Sequence, residues 1–299
     1  MDLRSDLLEA RRLASEGEYD ELLEGAKSRA VEPIRRRRIH GTLAELEAVD
    51  DRSARRIADG FRVALRDSFT AEQRATFERI SERTSALQSD ETEVTYSFHG
   101  PNDEGLTEET YEGRHSTVTV SAFPHCPARY GRLLTALLTQ YHAPSVLELG
   151  TCLGTSAAYI GTGLDSGHLT TVEAGEPQVE IARETISELG LEERVTVRQG
   201  LFQDVLLGDG SVPNFDVAFL DGHHQKEATL EYFDALYDVA NEGAIVVFDD
   251  VNDYSAGMDE AWDEISADPR VDLSVLTDRV GFAVVNSSIS EAERVSLPY

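Results

Sequence analysis

Apolar and polar positions follow two different patterns along the 299-residue chain. Up to about residue 90, apolar residues recur at helical spacing within a strongly charged background, as in Phe61, Leu65 and Phe69. Because such spacing places the apolar side chains on one face of a helix, several amphipathic helices are predicted here. No strand pattern interrupts them, so residues 1–90 are interpreted as a helical N-terminal region.

Residues 91–122 differ from both neighbouring regions, because Thr, Tyr, Val, Gly and His become prominent. Residues 99–105 are rich in turn formers, and residues 116–120 alternate like a short strand. The segment is predicted to be either a plain connection or a lid, since loops at the edge of a scaffold often contact substrates.

From residue 123, apolar strands alternate with helical segments. The first five predicted strands are Ser145–Leu149, His168–Val172, Val195–Arg198, Phe215–Leu220 and Ala244–Phe248. The last two, Val271–Leu276 and Phe282–Val285, are separated by too few residues for a crossover helix and must pair antiparallel. Residues 123–299 are therefore predicted to form a doubly wound α/β domain with a seven-stranded, mostly parallel sheet and one antiparallel strand.

Acidic residues dominate the composition, with 56 Asp and Glu against 27 Lys and Arg and a formal net charge of -29. A nucleic-acid partner is not expected, because binding a phosphate backbone requires clustered cations. Charge of this size maintains solubility in concentrated salt, where repulsion is screened, so a halophilic source is predicted. The basic run Arg35–Arg38 is interpreted as a solvated helix face paired with neighbouring acids.

The apolar stretches are all shorter than the roughly 20 residues that span a membrane, and the first residues lack the order of a signal peptide. A cytoplasmic location without a membrane partner is therefore expected. The two cysteines, Cys126 and Cys152, belong neither to a disulfide framework nor to a Cys/His metal pattern.

The most informative motif is the glycine turn after the first predicted strand. Glu148 lies near the end of that strand, Gly150 and Gly154 belong to the turn, and Glu173 ends the second strand. Small residues in such a turn let the backbone approach a nucleoside, and the later acid can accept hydrogen bonds from ribose hydroxyls. The spacing is wider than that of dinucleotide sites, which gives little support to a dehydrogenase.

This turn belongs to an ordered series of motifs between Pro127 and Asn286. The series includes Val146-Leu-Glu-Leu-Gly-Thr, Thr171-Val-Glu-Ala, Phe215-Asp-Val-Ala-Phe-Leu-Asp-Gly222 and Glu242-Gly-Ala-Ile-Val-Val-Phe-Asp-Asp250. With it the chain resembles the class I S-adenosylmethionine-dependent methyltransferases, and among them the metal-dependent O-methyltransferases of the catechol and caffeoyl-CoA type and their bacterial relatives. The resemblance implies a Rossmann-like methyltransferase fold and S-adenosylmethionine as the cofactor.

The resemblance also implies which residues contact the cofactor. They are Glu148, Gly150, Thr151, Gly154 and Glu173. Phe202 and Asp221 are further predicted cofactor contacts. The turn would surround the methionine part, and Glu173 would bind the ribose. The acid that this family commonly places at the adenine is missing, so Phe202 could stack on the base or Asp204 could serve instead. A core role for Phe202 is an equal alternative.

Three carboxylates, Asp221, Asp249 and Asp250, follow neighbouring predicted strands. Such oxygen-rich clusters suit Mg²⁺, Mn²⁺ or Ca²⁺, although Asp250 stands where the resembling enzymes have Asn. A divalent metal site is predicted, with solvated or hydrogen-bonded acids as the alternative. His224 stands where the catechol-type enzymes have a catalytic lysine, so it is the predicted general base acting beside Asp221. His223 is its rival.

The predicted function is methyl transfer to a small-molecule acceptor, with a hydroxyl favoured over an amine and a divalent metal assisting. Two alternatives are an N-methyltransferase and a non-catalytic protein that binds S-adenosylmethionine as a regulator or scaffold. The acidic surface argues against RNA as the acceptor. The N-terminal helices could also pair two copies of the chain into a homo-oligomer.

Overall fold

The computed structural model describes residues 39–97, 115–207, 214–253 and 257–299. The helices are α1 (39–48), α2 (Arg52–Leu65), α3 (Ala71–Leu87), α4 (Ala128–Leu138), α5 (Thr155–Gly163), α6 (Glu176–Leu189), α7 (Phe202–Leu207), α8 (Lys226–Asp238) and α9 (Met258–Ala267). The strands are β1 (Glu93–Ser97), β2 (His115–Thr119), β3 (Ser145–Leu149), β4 (His168–Glu173), β5 (Val195–Gln199), β6 (Phe215–Leu220), β7 (Ala240–Phe248), β8 (Val271–Leu276), β9 (Gly281–Val285) and β10 (Glu293–Ser296).

One large sheet organises the described chain, with strand order β10-β8-β9-β7-β6-β3-β4-β5. Within this sheet all paired strands are parallel except β9, which is antiparallel to both β7 and β8. This confirms the doubly wound sheet and its terminal hairpin. The sheet has eight strands rather than the predicted seven, because Glu293–Ser296 pairs with the outer edge of β8. That segment is mostly exposed and lacks the apolar run of a buried strand.

The order of the strands creates a crevice at one edge of the sheet. From β3 the chain proceeds outward through β4 and β5, and then returns to the other side of β3 with β6 and β7. In open α/β sheets, ligands bind outside the carboxyl ends of the strands where the order reverses. The loops after β3, β4, β6 and β7 are therefore the expected place for a site.

Apolar side chains on both faces of the sheet explain why helices cover it on two sides. Along β7, Ile245 and Val247 point to one face, whereas Val246 and Phe248 point to the other, and all four are buried. Strands buried on both faces read as continuous apolar runs. Helices α1–α6 contribute to the hydrophobic cluster on the first face, and α7–α9 contribute to the one on the second.

Helices α1–α3 confirm the helical prediction for the described part of residues 1–90, and they share a core with the sheet. The Phe61 ring meets Phe282 of β9 edge-on, with centroids 5.6 Å apart. The hydroxyl of Ser53 donates a hydrogen bond to the carbonyl of Gly243, at 2.6 Å. The basic run Arg35–Arg38 and the possible turn at 99–105 lie outside the described residues.

The strand predicted at residues 116–120 is confirmed as β2, which pairs antiparallel with β1 in a separate two-stranded sheet. None of the helices described is long and apolar enough to cross a membrane.

Candidate functional site

Three of the five described non-glycine residues with positive φ lie in the loops at the carboxyl edge of the sheet. Cys152 after β3, His223 after β6 and Asp250 after β7 have φ angles of 48°, 52° and 51°. Residues with side chains rarely adopt this left-handed conformation, and strain of this kind persists only where the surrounding structure enforces it. The crevice loops are therefore held in defined shapes.

The turn after β3 lies directly against the end of β6. Gly150 has a φ of 113°, and a Cβ atom there would lie 2.1 Å from the backbone oxygen of Asp221. The amide of Asp221 donates to the carbonyl of Leu149, at 2.9 Å. On the other side, the amides of Gly150 and Thr151 both donate to the carbonyl of Val172. Only a glycine at position 150 allows this approach of the two loops.

Glu148 lies fully buried beneath the turn. Its Oε2 accepts a hydrogen bond from the Thr171 hydroxyl, which is also 2.5 Å from the hydroxyl of Thr151. Its Oε1 is buried without a hydrogen-bond partner among the described residues. Burial raises the pKa of Glu148 to about 7, although the hydroxyls of Thr171 and Ser156 oppose the shift. A buried acid with an unused oxygen is suited to a ligand that carries N–H donors.

Glu173 links the turn after β3 to the loop after β4. Its Oε2 accepts from the Cys152 amide at 2.9 Å, and its Oε1 accepts from the Gly175 amide at 3.0 Å. Burial raises the pKa of Glu173, and the backbone hydrogen bonds oppose that shift. Each carboxylate oxygen can accept a second hydrogen bond, so both remain able to bind ribose hydroxyls.

The residues around the turn fit S-adenosylmethionine, which carries an ammonium group, a sulfonium and ribose hydroxyls. Two buried acceptor atoms, Oε1 of Glu148 and Oε1 of Gln178, have no partner among the described residues. Gln178 packs against Gly175, in the loop after the ribose-binding candidate Glu173. Buried polar atoms are normally satisfied, so these two indicate a polar ligand between the two loops.

Phe202 and Asp204, the two candidates for the adenine end, lie in the short helix α7. The Phe202 ring meets Tyr232 edge-on with centroids 5.6 Å apart, and a Cβ on Gly222 would lie 3.0 Å from its Cζ. Phe202 therefore has packing contacts beside the glycine turn, and its stacking on adenine stays a prediction. Asp204 is exposed.

The acceptor side contains the predicted base. Nε2 of His224 is 3.7 Å from Oδ1 of Asp221. Burial and the neighbouring Asp249 carboxylate raise the pKa of Asp221 well above its ordinary value. His223 instead faces Tyr232, with Nδ1 2.7 Å from the hydroxyl. His224 thus lies beside the acid that follows β6.

Arg279 is a site residue that the sequence reasoning missed. Its Nε and Nη2 donate to the two carboxylate oxygens of Asp249, at 2.8 and 2.5 Å, and Nη2 lies 3.0 Å from Oδ1 of Asp250. The sequence feature that could have located Arg279 near the acids was the predicted antiparallel pairing of the last strand. Since Gly281 of β9 lies opposite Phe248 of β7, the turn before β9 must lie beside the acids after β7.

The predicted metal ligands Asp221, Asp249 and Asp250 come together, but their arrangement does not fit a divalent cation. Such a cation needs several oxygen ligands directed at one point. Both oxygens of Asp249 are instead bound by Arg279. Within the described ranges, no three His, Cys, Asp or Glu side chains form a group that could hold a metal ion.

Comparison with known proteins shows what this region of the chain is similar to. Residues 147–251 match the family model described as a methyltransferase domain. The chain is 31% identical over 125 residues to a catechol O-methyltransferase of Niastella koreensis, covering 40% of this chain and 55% of that protein. It is 32% identical over 125 residues to a catechol O-methyltransferase of Mycobacterium tuberculosis, covering 42% and 56%. The chain thus spans little more than half the length of these curated relatives.

A solved structure extends the similarity over more of the chain. The O-methyltransferase from Bacillus cereus in complex with SAH aligns with a TM-score of 0.50 and 25% identity, covering 71% of this chain and 90% of that one. The order of the sheet, the glycine turn with its two acids, and these similarities agree with one another. Residues 147–251 therefore form a methyltransferase domain, and the chain is similar to the class I S-adenosylmethionine-dependent O-methyltransferases.

Proposed function

We propose that the protein transfers a methyl group from S-adenosylmethionine to a hydroxyl group of a small molecule. The observation that carries this proposal is the contact between Gly150 and Asp221, because it joins the cofactor turn to the loop that holds His224. The relatives named as catechol O-methyltransferases support a hydroxyl acceptor. The divalent cation expected from the resemblance has no part in the proposal, since Arg279 already binds Asp249.

Two acids of the protein would bind different parts of the cofactor. Glu148 and the turn that contains Gly150, Thr151 and Gly154 would hold the methionine part, and Glu173 would hold the ribose. When bound, S-adenosylmethionine supplies a methyl group on a positively charged sulfur, and the acceptor oxygen takes it as the C–O bond forms and the C–S electron pair returns to sulfur. A buried carboxylate stabilises positive charge strongly because little water screens it.

His224 would act on the acceptor. An imidazole is a working base near neutral pH, so it can take the hydroxyl proton as the oxygen attacks. Asp221, with Oδ1 3.7 Å from Nε2, would orient the imidazole. The crevice adds rate by holding two reactants side by side, which removes much of the entropic cost of their encounter.

The test is an assay of the full chain with S-adenosylmethionine and a panel of catechols, simple phenols, aliphatic alcohols and amines. Mass spectrometry then identifies S-adenosylhomocysteine and the methylated product. We expect O-methylated products, and their loss in Glu173→Ala. Products methylated only on nitrogen would support the N-methyltransferase alternative. Tight cofactor binding without any product would support a regulatory or scaffold role.

A further inference from the structure

Arg279 lies inside the cluster of acids at the carboxyl edge of the sheet. Its guanidinium binds Asp249 with two nitrogens and Asp250 with one of them. The Asp249 side chain is only 5% exposed, whereas the Arg279 side chain is 33% exposed. Bidentate arginine–carboxylate pairs of this kind are geometrically specific, and they are strong when the carboxylate is shielded from water. The guanidinium therefore lies against one side of the acidic cluster, and part of it stays exposed at the crevice.

The backbone holds Arg279 in this position independently of its side chain. Its carbonyl accepts a hydrogen bond from the amide of Val251, at 3.0 Å. Within its own turn, Oγ1 of the buried Thr277 accepts from the amides of Arg279 and Val280, at 3.3 and 2.9 Å. The turn between β8 and β9 is thus tied to the loop after β7 that contains Asp249 and Asp250. This support fixes the backbone from which the guanidinium reaches the acids.

A guanidinium and a divalent cation compete for the same carboxylate oxygens. Mg²⁺ and Mn²⁺ need oxygen ligands with unshared lone pairs directed at the ion. In Asp249 both oxygens already accept hydrogen bonds from Arg279. The arginine also brings a positive charge into the place where such an ion would otherwise be needed.

We propose that Arg279 is the resident cation of the acceptor site and replaces a divalent metal ion in methyl transfer. This inference rests on the proposed function, since it assigns a role within the same reaction. Nη1 makes no hydrogen bond to any residue that the structure describes, so it can donate to the acceptor oxygen. As the hydroxyl proton passes to the imidazole of His224, the oxygen becomes negative, and the guanidinium stabilises that charge without giving up a proton of its own.

The hydrogen bonds that Arg279 donates to Asp249 raise the pKa of Arg279 further above its ordinary value. The group therefore carries its charge at every pH at which the protein is folded. A metal ion in the same place would depend on concentration and chelators, whereas the arginine is always present.

The experiment compares the wild-type chain with Arg279→Met and Arg279→Lys. Arg270→Met is the matched control, because Arg270 also binds a carboxylate with two nitrogens, at Asp268, but at the opposite edge of the sheet. Electron paramagnetic resonance of free Mn²⁺ measures metal binding, and calorimetry measures S-adenosylhomocysteine binding. Methyl transfer is measured with and without excess chelator.

We expect no saturable Mn²⁺ binding by the wild-type chain and turnover within about twofold in chelator. Arg279→Met should lower kcat by about 10² to 10³, as for other lost oxyanion donors. Its affinity for S-adenosylhomocysteine should stay within about threefold of the wild-type value, and Arg279→Lys should recover part of the rate. Arg270→Met should leave turnover unchanged.

Three results would overturn the inference. The first is loss of wild-type turnover in chelator with recovery on adding Mg²⁺ or Mn²⁺. The second is saturable Mn²⁺ binding that Asp249→Asn removes. The third is wild-type turnover in a folded Arg279→Met protein. If no acceptor is methylated at all, the proposed function fails, and the Mn²⁺ measurement still decides whether Arg279 excludes the metal.

Discussion

The α-carbon of Gly150 faces the backbone carbonyl of Asp221 so closely that a Cβ atom at position 150 would lie 2.1 Å from that oxygen. This contact joins the loop after β3, the proposed cofactor side, to the loop after β6, the proposed acceptor side. The distance between the two halves of the site is therefore determined by a glycine. Any side chain there must push the halves apart.

Gly150→Ala tests this relationship, and Gly190→Ala is its matched control. Both glycines have positive φ angles, of 113° and 71°, but a Cβ at Gly190 would have no atom within 4 Å. Gly190→Ala should cost about 1 kcal/mol of the free energy of unfolding, which is the penalty of the left-handed backbone alone. Gly150→Ala should cost about 3 kcal/mol or more, because the steric clash adds to the strain.

Denaturant unfolding measures the two costs, and calorimetry with S-adenosylhomocysteine measures binding. We expect Gly150→Ala to lose binding and Gly190→Ala to keep it. Equal stability of the two variants together with wild-type binding by Gly150→Ala would show that the two loops do not meet as described.

Glu148→Gln should change how stability depends on pH. Burial raises the pKa of Glu148 from 4.5 to about 7 in the folded protein, so the folded state holds this proton more tightly than the unfolded state. The resulting stabilisation is fully present below about pH 4.5 and is lost as the pH rises through about 7. The loss is of the order of 3 kcal/mol. Gln cannot ionise, so the Glu148→Gln variant does not lose this stability as the pH rises.

Without cofactor, Glu148→Gln should therefore be more stable than the wild-type chain at pH 8, and the difference should shrink toward pH 5. Glu180→Gln on the exposed face of α6 is the control and should show no such trend. The same Glu148→Gln change should weaken S-adenosylhomocysteine binding by about tenfold to a hundredfold, the value of a hydrogen bond to a charged group. If Glu148→Gln is no more stable than the wild-type chain at pH 8 and binds S-adenosylhomocysteine no more weakly, the role of Glu148 is refuted.

His224→Asn should lower kcat by about 10² to 10⁴, the usual contribution of a general base, and leave cofactor binding intact. His223→Asn is the comparison, because asparagine tolerates the left-handed backbone that His223 adopts. We expect its effect on kcat to be much smaller, since His223 contacts Tyr232. Steady-state kinetics, with an acceptor that the wild-type chain methylates, measures kcat for both variants. The reverse order of effects would make His223 the base.

Salt should stabilise the whole protein. A formal net charge of -29 on one chain produces self-repulsion that added ions screen. Raising KCl from about 0.1 M to about 2 M should therefore raise the melting temperature, which calorimetry or circular dichroism records. An unchanged or lower melting temperature would argue against the halophilic interpretation of the composition.

Much of the fold could be predicted because the sheet is buried on both faces. Ala244–Phe248 appears as an uninterrupted apolar run, and Phe215–Leu220 is interrupted only by Asp216. The short gap before Phe282 determines the antiparallel pairing. β10 escaped prediction because Glu293–Ser296 is mostly exposed and has no such pattern. The shared core of α1–α3 and the sheet also needed the structure, since contacts such as Phe61 with Phe282 join residues far apart in sequence.

The cofactor side of the site could be anticipated from local motifs, and the acceptor side only in part. Glu148, Gly150 and Glu173 lie in two consecutive strand-and-turn units, where sequence spacing determines position. Arg279 reaches Asp249 from a different turn, and the partner of a long flexible side chain cannot be inferred from spacing. The metal prediction followed from the acids alone and took no account of this arginine.

Transfer of an isotopically labelled methyl group from S-adenosylmethionine tests the central claim most directly. The assay follows the label into the hydroxyl acceptors, with the wild-type chain beside His224→Asn. We predict that the label appears on an acceptor oxygen with the wild-type chain, and that His224→Asn binds S-adenosylhomocysteine equally well but transfers little label. Failure of the folded wild-type chain to bind S-adenosylhomocysteine, or to label any hydroxyl acceptor, would contradict the account.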